Sequence, residues 1–558
     1  MAAKGRPHRG FPFVSSAKKY YLFLCKMTYK REFSCMADLF TDNSKIPMSI
    51  PTGKHAKLKQ DLRASRFYLP LIPPKTGVCQ RWERRQPRGE SPLNQTHRSG
   101  RRILVEKTDR LLHQNILKVF LGYLLPTVMG MITHSLYCLA DVMFIGVYVG
   151  STALAAMNIC MPIFTLFTSI GLLIGVGAST TIMVKLGQGD HESPDKIFSL
   201  AILCNLVVGV TISVLATLYL EPFARFLGAT DQLMPYVSQY MTPINCTCFA
   251  FILSSMMQVI IRADYNPKLV MIATVTGNLF NIVFDYVFMA KMGMGIFGAA
   301  LATAISPFIS LALMSLHYIL KNNTLHFTRD CYDLSLLKRI LQNGIGTFCL
   351  EFTSGMIIFV FNIVLLKISG ELAVACYTII SNIAYVGKGI FNGIAQATQP
   401  LISANYGAQQ YDRSQRAAKI SMLTAVGFST VVFLLVLVMP RQIAGCFTED
   451  MNLIEACIPA MKLYFVSFVF TGLNTMLMYY FQSIERPKIS TVVALSRGIV
   501  LVLVGIIVLT PILGENGVWL TITFAELGTL AFAYPYKRLV DRRQTQRAVH
   551  LLPQVTAK

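Results

Sequence analysis

Three polar residues in the stretch "GNLFNIVFDYVF" lie where oil would be expected. Asn278, Asn281 and Asp285 sit inside the 22 residues that separate Lys268 from Lys291, an otherwise apolar run. Their i, i+3, i+7 spacing puts all three on one face of a helix. Asp141 ends a second apolar run, "SLYCLADVMFIG", and Thr303 stands in a third, "GAALATAISPF". An ionised carboxylate at the centre of a membrane helix costs about 2.5–3.5 kcal/mol on insertion scales. Two carboxylates, an amide oxygen and a hydroxyl are hard oxygen ligands, suited to Na⁺ or to sharing a proton, and a cation would offset that cost. Interhelical hydrogen bonding is the structural alternative for the same groups.

The elements that must position these side chains are membrane helices. The 558 residues are 53% hydrophobic and only 14% charged, against about 25% charged in soluble domains. Spans of about 20 apolar residues fall at roughly 117–145, 152–178, 197–220, 236–261, 269–290, 297–319, 339–366, 372–400, 417–440, 458–483, 489–511 and 517–536. An even number leaves both termini on one side. The loops between spans 2–3, 4–5, 6–7, 8–9 and 10–11 carry 13 Lys and Arg, Arg262 among them, and the opposite loops carry 5. The richer side, with both termini, is expected to be cytoplasmic.

The chain repeats itself. Slid by 220 residues without a gap, Gly150 meets Gly370, Gly187 meets Gly407, and Pro267-Lys268 meets Pro487-Lys488; 9 of 38 residues over 150–187 and 370–407 are identical. Two six-span halves of the same orientation predict parallel repeats about an axis along the membrane normal, as in transporters. The repeat is also a control: Asp141 faces Phe361, Asn281 faces Leu501 and Asp285 faces Gly505. The second copy of the fold does without these polar groups.

The second half has polar residues of its own. Glu351 lies in span 7, and Lys388, Asn392, Gln396 and Gln399 step along one face of span 8. They allow a buried Glu351–Lys388 ion pair, or else a cavity lining or second coupling carboxylate. Arg497 and Glu526, in spans 11 and 12, are expected to pair or to snorkel.

The rest is largely exclusion. Residues 1–110 hold 24 Lys and Arg against 8 Asp and Glu, a net of +16, leaving +7 on the other 448. This basic leader, 1–108, has no span-length apolar run and reads as a disordered tail or an upstream extension of the translated sequence. Asn94-Gln95-Thr96 matches a glycosylation acceptor but falls on the expected cytoplasmic side. The 13 cysteines show no metal or disulfide spacing, Cys246-x-Cys248 included. No P-loop, Gly-x-Ser-x-Gly elbow or His-Glu-x-x-His is present, so no enzyme and no cofactor are expected.

Several stretches together resemble the multidrug and toxic compound extrusion (MATE) family, specifically its bacterial multidrug branch. They are "PTVMGMITHSLYCLADVMFIG", "ALAAMNICMPI", "RADYNPK", "NIVFDYVF", "LEFTSG" and "ANYGAQQYDRSQ", and the resemblance covers about 112–540. It implies an all-α membrane protein of twelve transmembrane helices in two six-helix lobes related by pseudo-two-fold symmetry, the V-shaped fold of that family. The expected division is a leader, 1–108; an N-lobe of helices 1–6, 109–325; a C-lobe of helices 7–12, 326–540; and a cytoplasmic tail, 541–558.

The resemblance places a cation site on Asp141, Asn281, Asp285 and Thr303, a helix bend on Pro126, and the acidic residue of helix 7 on Glu351. The helix-10 carboxylate of other branches has no counterpart within 458–483. The implied function is secondary active efflux of organic cations or amphiphilic drugs by Na⁺ or H⁺ antiport with alternating access. The chain would work as a monomer in the bacterial inner membrane, with small-molecule drugs and lipid but no nucleic acid as partners. The alternative is a lipid-linked oligosaccharide flippase of the same superfamily, for which Lys388 and Arg497 would hold pyrophosphate.

Overall fold

The computed structural model describes residues 104–556; the leader up to 103, including the Asn94 acceptor, lies outside the described residues. Among the described residues twelve helices are long and apolar enough to cross a membrane. They are span 1 (Ile116–Tyr148), span 2 (Thr152–Gly187), span 3 (Ser193–Leu218), span 4 (Met234–Ala263), span 5 (Pro267–Lys291), span 6 (Gly295–Ile319), span 7 (Leu334–Ser369), span 8 (Glu371–Gly407), span 9 (Tyr411–Val438), span 10 (Met451–Ser483), span 11 (Pro487–Leu513) and span 12 (Glu515–Gln546).

All twelve expected spans are present. Most run longer than the apolar stretch that announces them, because caps rather than hydropathy end a helix. Span 7 starts at Leu334, where the Asp333 side chain accepts from the amides of Ser335 at 2.8 Å and Leu336 at 3.4 Å. The helix of span 12 continues to Thr556.

The repeat is more faithful in backbone than in sequence. Gly150 and Gly370, both at positive φ (106° and 78°), make the turn into spans 2 and 8. The turns after spans 2 and 8 place Gly189 (78°) and Gln409 (59°) in the same left-handed region. After spans 4 and 10, Tyr265 (65°) and Glu485 (53°) do likewise. Three of these four residues, Gln409, Tyr265 and Glu485, are not glycine and accept a conformation that L side chains disfavour; the topology imposes it. Pro267 and Pro487 each open the next helix, the position where a missing N–H costs nothing.

Spans 1–6 pack as one lobe and 7–12 as the other, with spans 2 and 7, 1 and 8, and 2 and 8 in contact across the boundary. Most cross-lobe hydrogen bonds lie at the end that carries the termini. Gln399 Nε2 donates to Thr180 Oγ1 at 2.6 Å and to the Val176 carbonyl at 3.2 Å, and Asn343 Nδ2 donates to Thr181 Oγ1 at 3.1 Å. A short helix over 104–113 spans the seam there. Its Thr108 bonds Tyr265 at 2.7 Å, while Arg413 Nη2 donates to the carbonyls of Leu111 and Gln114.

The connection between the lobes, residues 320–333, is strapped to the first lobe. The Thr324 amide donates to Asp264 at 3.0 Å, the His326 amide to Asp195 at 2.8 Å and the Thr328 amide to Ser199 Oγ at 2.8 Å; Lys196 pairs with Asp330 at 3.1 Å.

Candidate functional site

Span 5 shows why the polar stripe is tolerated. Asn278, Asn281 and Asp285 share its buried face with Val270, Ala273, Thr274 and Gly277, while Ile272, Leu279, Phe280 and Val283 face outward. The helix is regular up to Asp285 and then widens into a π-helical turn, Tyr286–Lys291. Such turns recur at functional sites. Span 1 brings Asp141 against this face from the other side, and span 6 brings Thr303. The surrounding core is apolar: Phe144, Ile145, Met241, Met289, Ala299 and Ala300.

Within it Asp285 is fully buried and Asp141 is 5% exposed. The amide of Asn281 settles its own orientation, because its nitrogen must face an acceptor. Placed so, Nδ2 donates to Asp285 Oδ2 at 3.3 Å, and the amide oxygen accepts from the hydroxyl and the N–H of Thr303, both at 3.2 Å. Tyr240, from span 4, donates its hydroxyl to Asp141 Oδ2 at 3.3 Å. One oxygen of each carboxylate, Asp141 Oδ1 and Asp285 Oδ1, has no hydrogen-bond partner. No Lys, Arg or His pairs with either acid among the described ion pairs.

The donor set therefore fits a small hard cation. Two carboxylate oxygens stand free, the two acids feel each other electrostatically, and no cationic group among the described residues pairs with them. All four residues that the resemblance singled out, Asp141, Asn281, Asp285 and Thr303, come together here. Tyr240 was not singled out, since a tyrosine in a span reads as core or interface. Asn278 lies on the same face, but its amide nitrogen is buried without a partner. Pro126 is buried within span 1, whose helix continues unbroken through it.

The second-lobe residues divide. Glu351 accepts from Asn392 Nδ2 at 2.9 Å. The Glu351–Lys388 ion pair that the spacing allows is not formed: Asn392, one turn beyond Lys388, takes the carboxylate instead. Glu351, Lys388 and Asn392 are all half-buried. Gln396 does not join them; it is buried and accepts from Arg262 Nη1 at 2.6 Å. Arg497 pairs with Glu526 at 2.6 Å, both buried, and bonds Thr475 Oγ1 at 2.7 Å, while Asn474 donates to the other Glu526 oxygen at 2.7 Å. Span 10 starts early enough to include Glu455, but that residue pairs with Arg441 at 2.5 Å on an exposed rim.

Comparison with known proteins agrees with this architecture. The MatE family model matches residues 126–287 and 345–508, one segment in each half and together more than half of the chain. The multidrug export protein MepA of Staphylococcus haemolyticus (strain JCSC1435) is 25% identical over 414 residues, 74% of this chain and 91% of that protein. A solved structure described as the outward-facing conformation of a multidrug resistance MATE family transporter of the MOP superfamily superposes with a TM-score of 0.75. It is 25% identical and covers 79% of this chain and 99% of its own. A MOP superfamily transporter from Pyrococcus furiosus, 24% identical, shares the fold at a TM-score of 0.74 over 79% of this chain and 99% of that one.

Proposed function

Because the chain belongs to the MatE family of multidrug and toxic compound extrusion transporters, we propose that it exports organic cations or amphiphilic drugs in exchange for inward Na⁺ or H⁺. One observation carries the coupling part of this reading. Two buried carboxylates in one lobe have no cationic partner among the described residues, and the other lobe replaces them with Phe361 and Gly505. Burial of an unpaired carboxylate is costly, and a travelling cation removes the cost each time it binds. A cation bound by Asp141 from span 1 and by Asp285 from span 5 favours whichever packing of those helices brings the two together. If drug favours the other packing, the two exclude each other, which is the thermodynamic requirement for antiport.

The half-buried Glu351, Lys388 and Asn392 fit the drug path, where an amphiphilic cation meets a carboxylate within apolar walls. The loop charges favour cytoplasmic termini in a bacterial inner membrane, and in this reading the chain works as a monomer. Alternating access follows from the seal at the end that carries the termini: the lobes must part there to admit drug.

The test uses full-length protein in proteoliposomes, with Na⁺ and pH gradients imposed separately. Asp285→Asn and Asp141→Asn, at matched incorporation, should lose gradient-driven drug movement while still binding drug. Gradient-driven efflux that survives in both variants would remove the coupling role.

A further inference from the structure

The last turn of span 4 carries a second buried charge. Arg262 is 3% exposed, and its guanidinium is bound only by the neutral Gln396 oxygen, at 2.6 Å; its Nε has no partner. No carboxylate pairs with it among the described ion pairs. Asp264, two residues on, is turned away to His317 at 2.7 Å and to Thr324. The guanidinium interacts electrostatically with the phenols of Tyr479, from span 10, and Tyr123, from span 1. Both phenols are buried, and the Tyr123 hydroxyl makes no hydrogen bond of its own.

The internal repeat shows that the fold does not require a charge here. Position 262 corresponds to Gln482 in the second half. That amide is fully buried and satisfied, accepting from Thr347 Oγ1 at 2.9 Å and donating to the Asn343 carbonyl at 2.5 Å. The first half puts a permanent cation in the same place, faces it with Tyr123 where the second half has Asn343, and provides no acid. A guanidinium cannot escape by losing its proton, and an unpaired buried charge is strongly unfavourable. The unused groups, the guanidinium Nε–H and the Tyr123 hydroxyl, can both donate, and the uncompensated charge on the guanidinium favours an anionic acceptor over a neutral one.

We propose that Arg262, Tyr123 and Tyr479 form a binding site for a small monovalent anion of the chloride class. Its ligands come from spans 1 and 4 of one lobe and span 10 of the other, so the anion bridges the seam at the end that carries the termini. It is lost when the lobes part there, which makes occupancy a property of one conformation.

The test is thermal unfolding of the purified full-length protein in sodium chloride against sodium gluconate at equal ionic strength, gluconate being too large for a buried site. A ligand that binds only the folded state raises Tm with concentration, so chloride should give the higher Tm. Arg262→Gln, which installs the residue of the other half, should abolish the difference. Tyr479→Phe should weaken the apparent chloride affinity several-fold. In crystals of the unaltered protein soaked in bromide, an anomalous peak should lie within hydrogen-bond reach of the Arg262 guanidinium, and this readout stands even if a variant fails to fold. A chloride response absent from the unaltered protein, or unaltered by both substitutions, overturns the proposal, as does a bromide map without that peak.

Discussion

Gly187 and Gly407, equivalent in the two halves, each lie against the backbone of the other's helix. A Cβ on Gly187 would meet the Ala404 carbonyl oxygen at 2.1 Å, and one on Gly407 would meet that of Val184 at 2.1 Å. Val184 and Ala404 are themselves 220 residues apart, so the contact is reciprocal. Either glycine changed to alanine should force spans 2 and 8 apart at this end. Overpacking costs about 1–3 kcal/mol, and at about 1.4 kcal/mol per tenfold the equilibrium should move roughly 5- to 150-fold toward separation. Spin-label distances between the ends of spans 2 and 8 should show a longer population in both variants.

Tyr240→Phe removes the single hydrogen bond to Asp141. Such a bond contributes about 0.5–1.5 kcal/mol net, so the apparent affinity for the coupling cation should change by roughly 2- to 10-fold, with drug affinity unaffected. Cation titrations of gradient-driven efflux check this. An effect as large as that of Asp141→Asn would mean that Tyr240 does more than orient the carboxylate.

Arg497 and Glu526 form a buried pair whose remaining contacts are all satisfied. Removing one partner of such a pair costs about 3–5 kcal/mol, because it strands the other. Arg497→Met should lower Tm markedly, and adding Glu526→Gln should recover much of the loss. A double variant no more stable than Arg497→Met would contradict the pairing account.

Asp190, in the turn after span 2, supplies a pH dependence outside the membrane. Burial by itself would push its carboxyl up, but bonds from Ser193, Lys185 and Glu192 outweigh this and hold it well below the usual range. A lowered value in the folded state means stability that is fully present above the unfolded value, about 3.9, and is lost as pH falls toward the folded one. Asp190→Ala should therefore unfold more easily than the unaltered protein at pH 7, with the gap narrowing at pH 3.

Much of this was legible in the sequence because membrane helices and their repeats announce themselves by hydropathy and spacing. The spacing of Asn278, Asn281 and Asp285 did predict a shared face, and that face is buried. Side-chain partners were less legible. Lys388 stands one turn before Asn392 on the same face, and only coordinates tell which of them reaches Glu351. Arg262 reads as a loop charge because the apolar run ends at 261, yet the helix continues to Ala263 and carries the guanidinium inside. Tyr240 gives no signal, since nothing in its neighbourhood distinguishes a phenol that meets a carboxylate from one that packs.

The strap that ties residues 324–330 to the first lobe has a mechanical consequence. A rotation of one half past the other, which the proposed alternating access requires, would not be absorbed along that connector, whose amides are already committed to Asp264, Asp195 and Ser199. The swivel is confined to the few residues between Asp330 and the capped start of span 7 at Asp333. A joint that short transmits torque almost without slack, so movement of the first lobe is felt directly at the root of span 7.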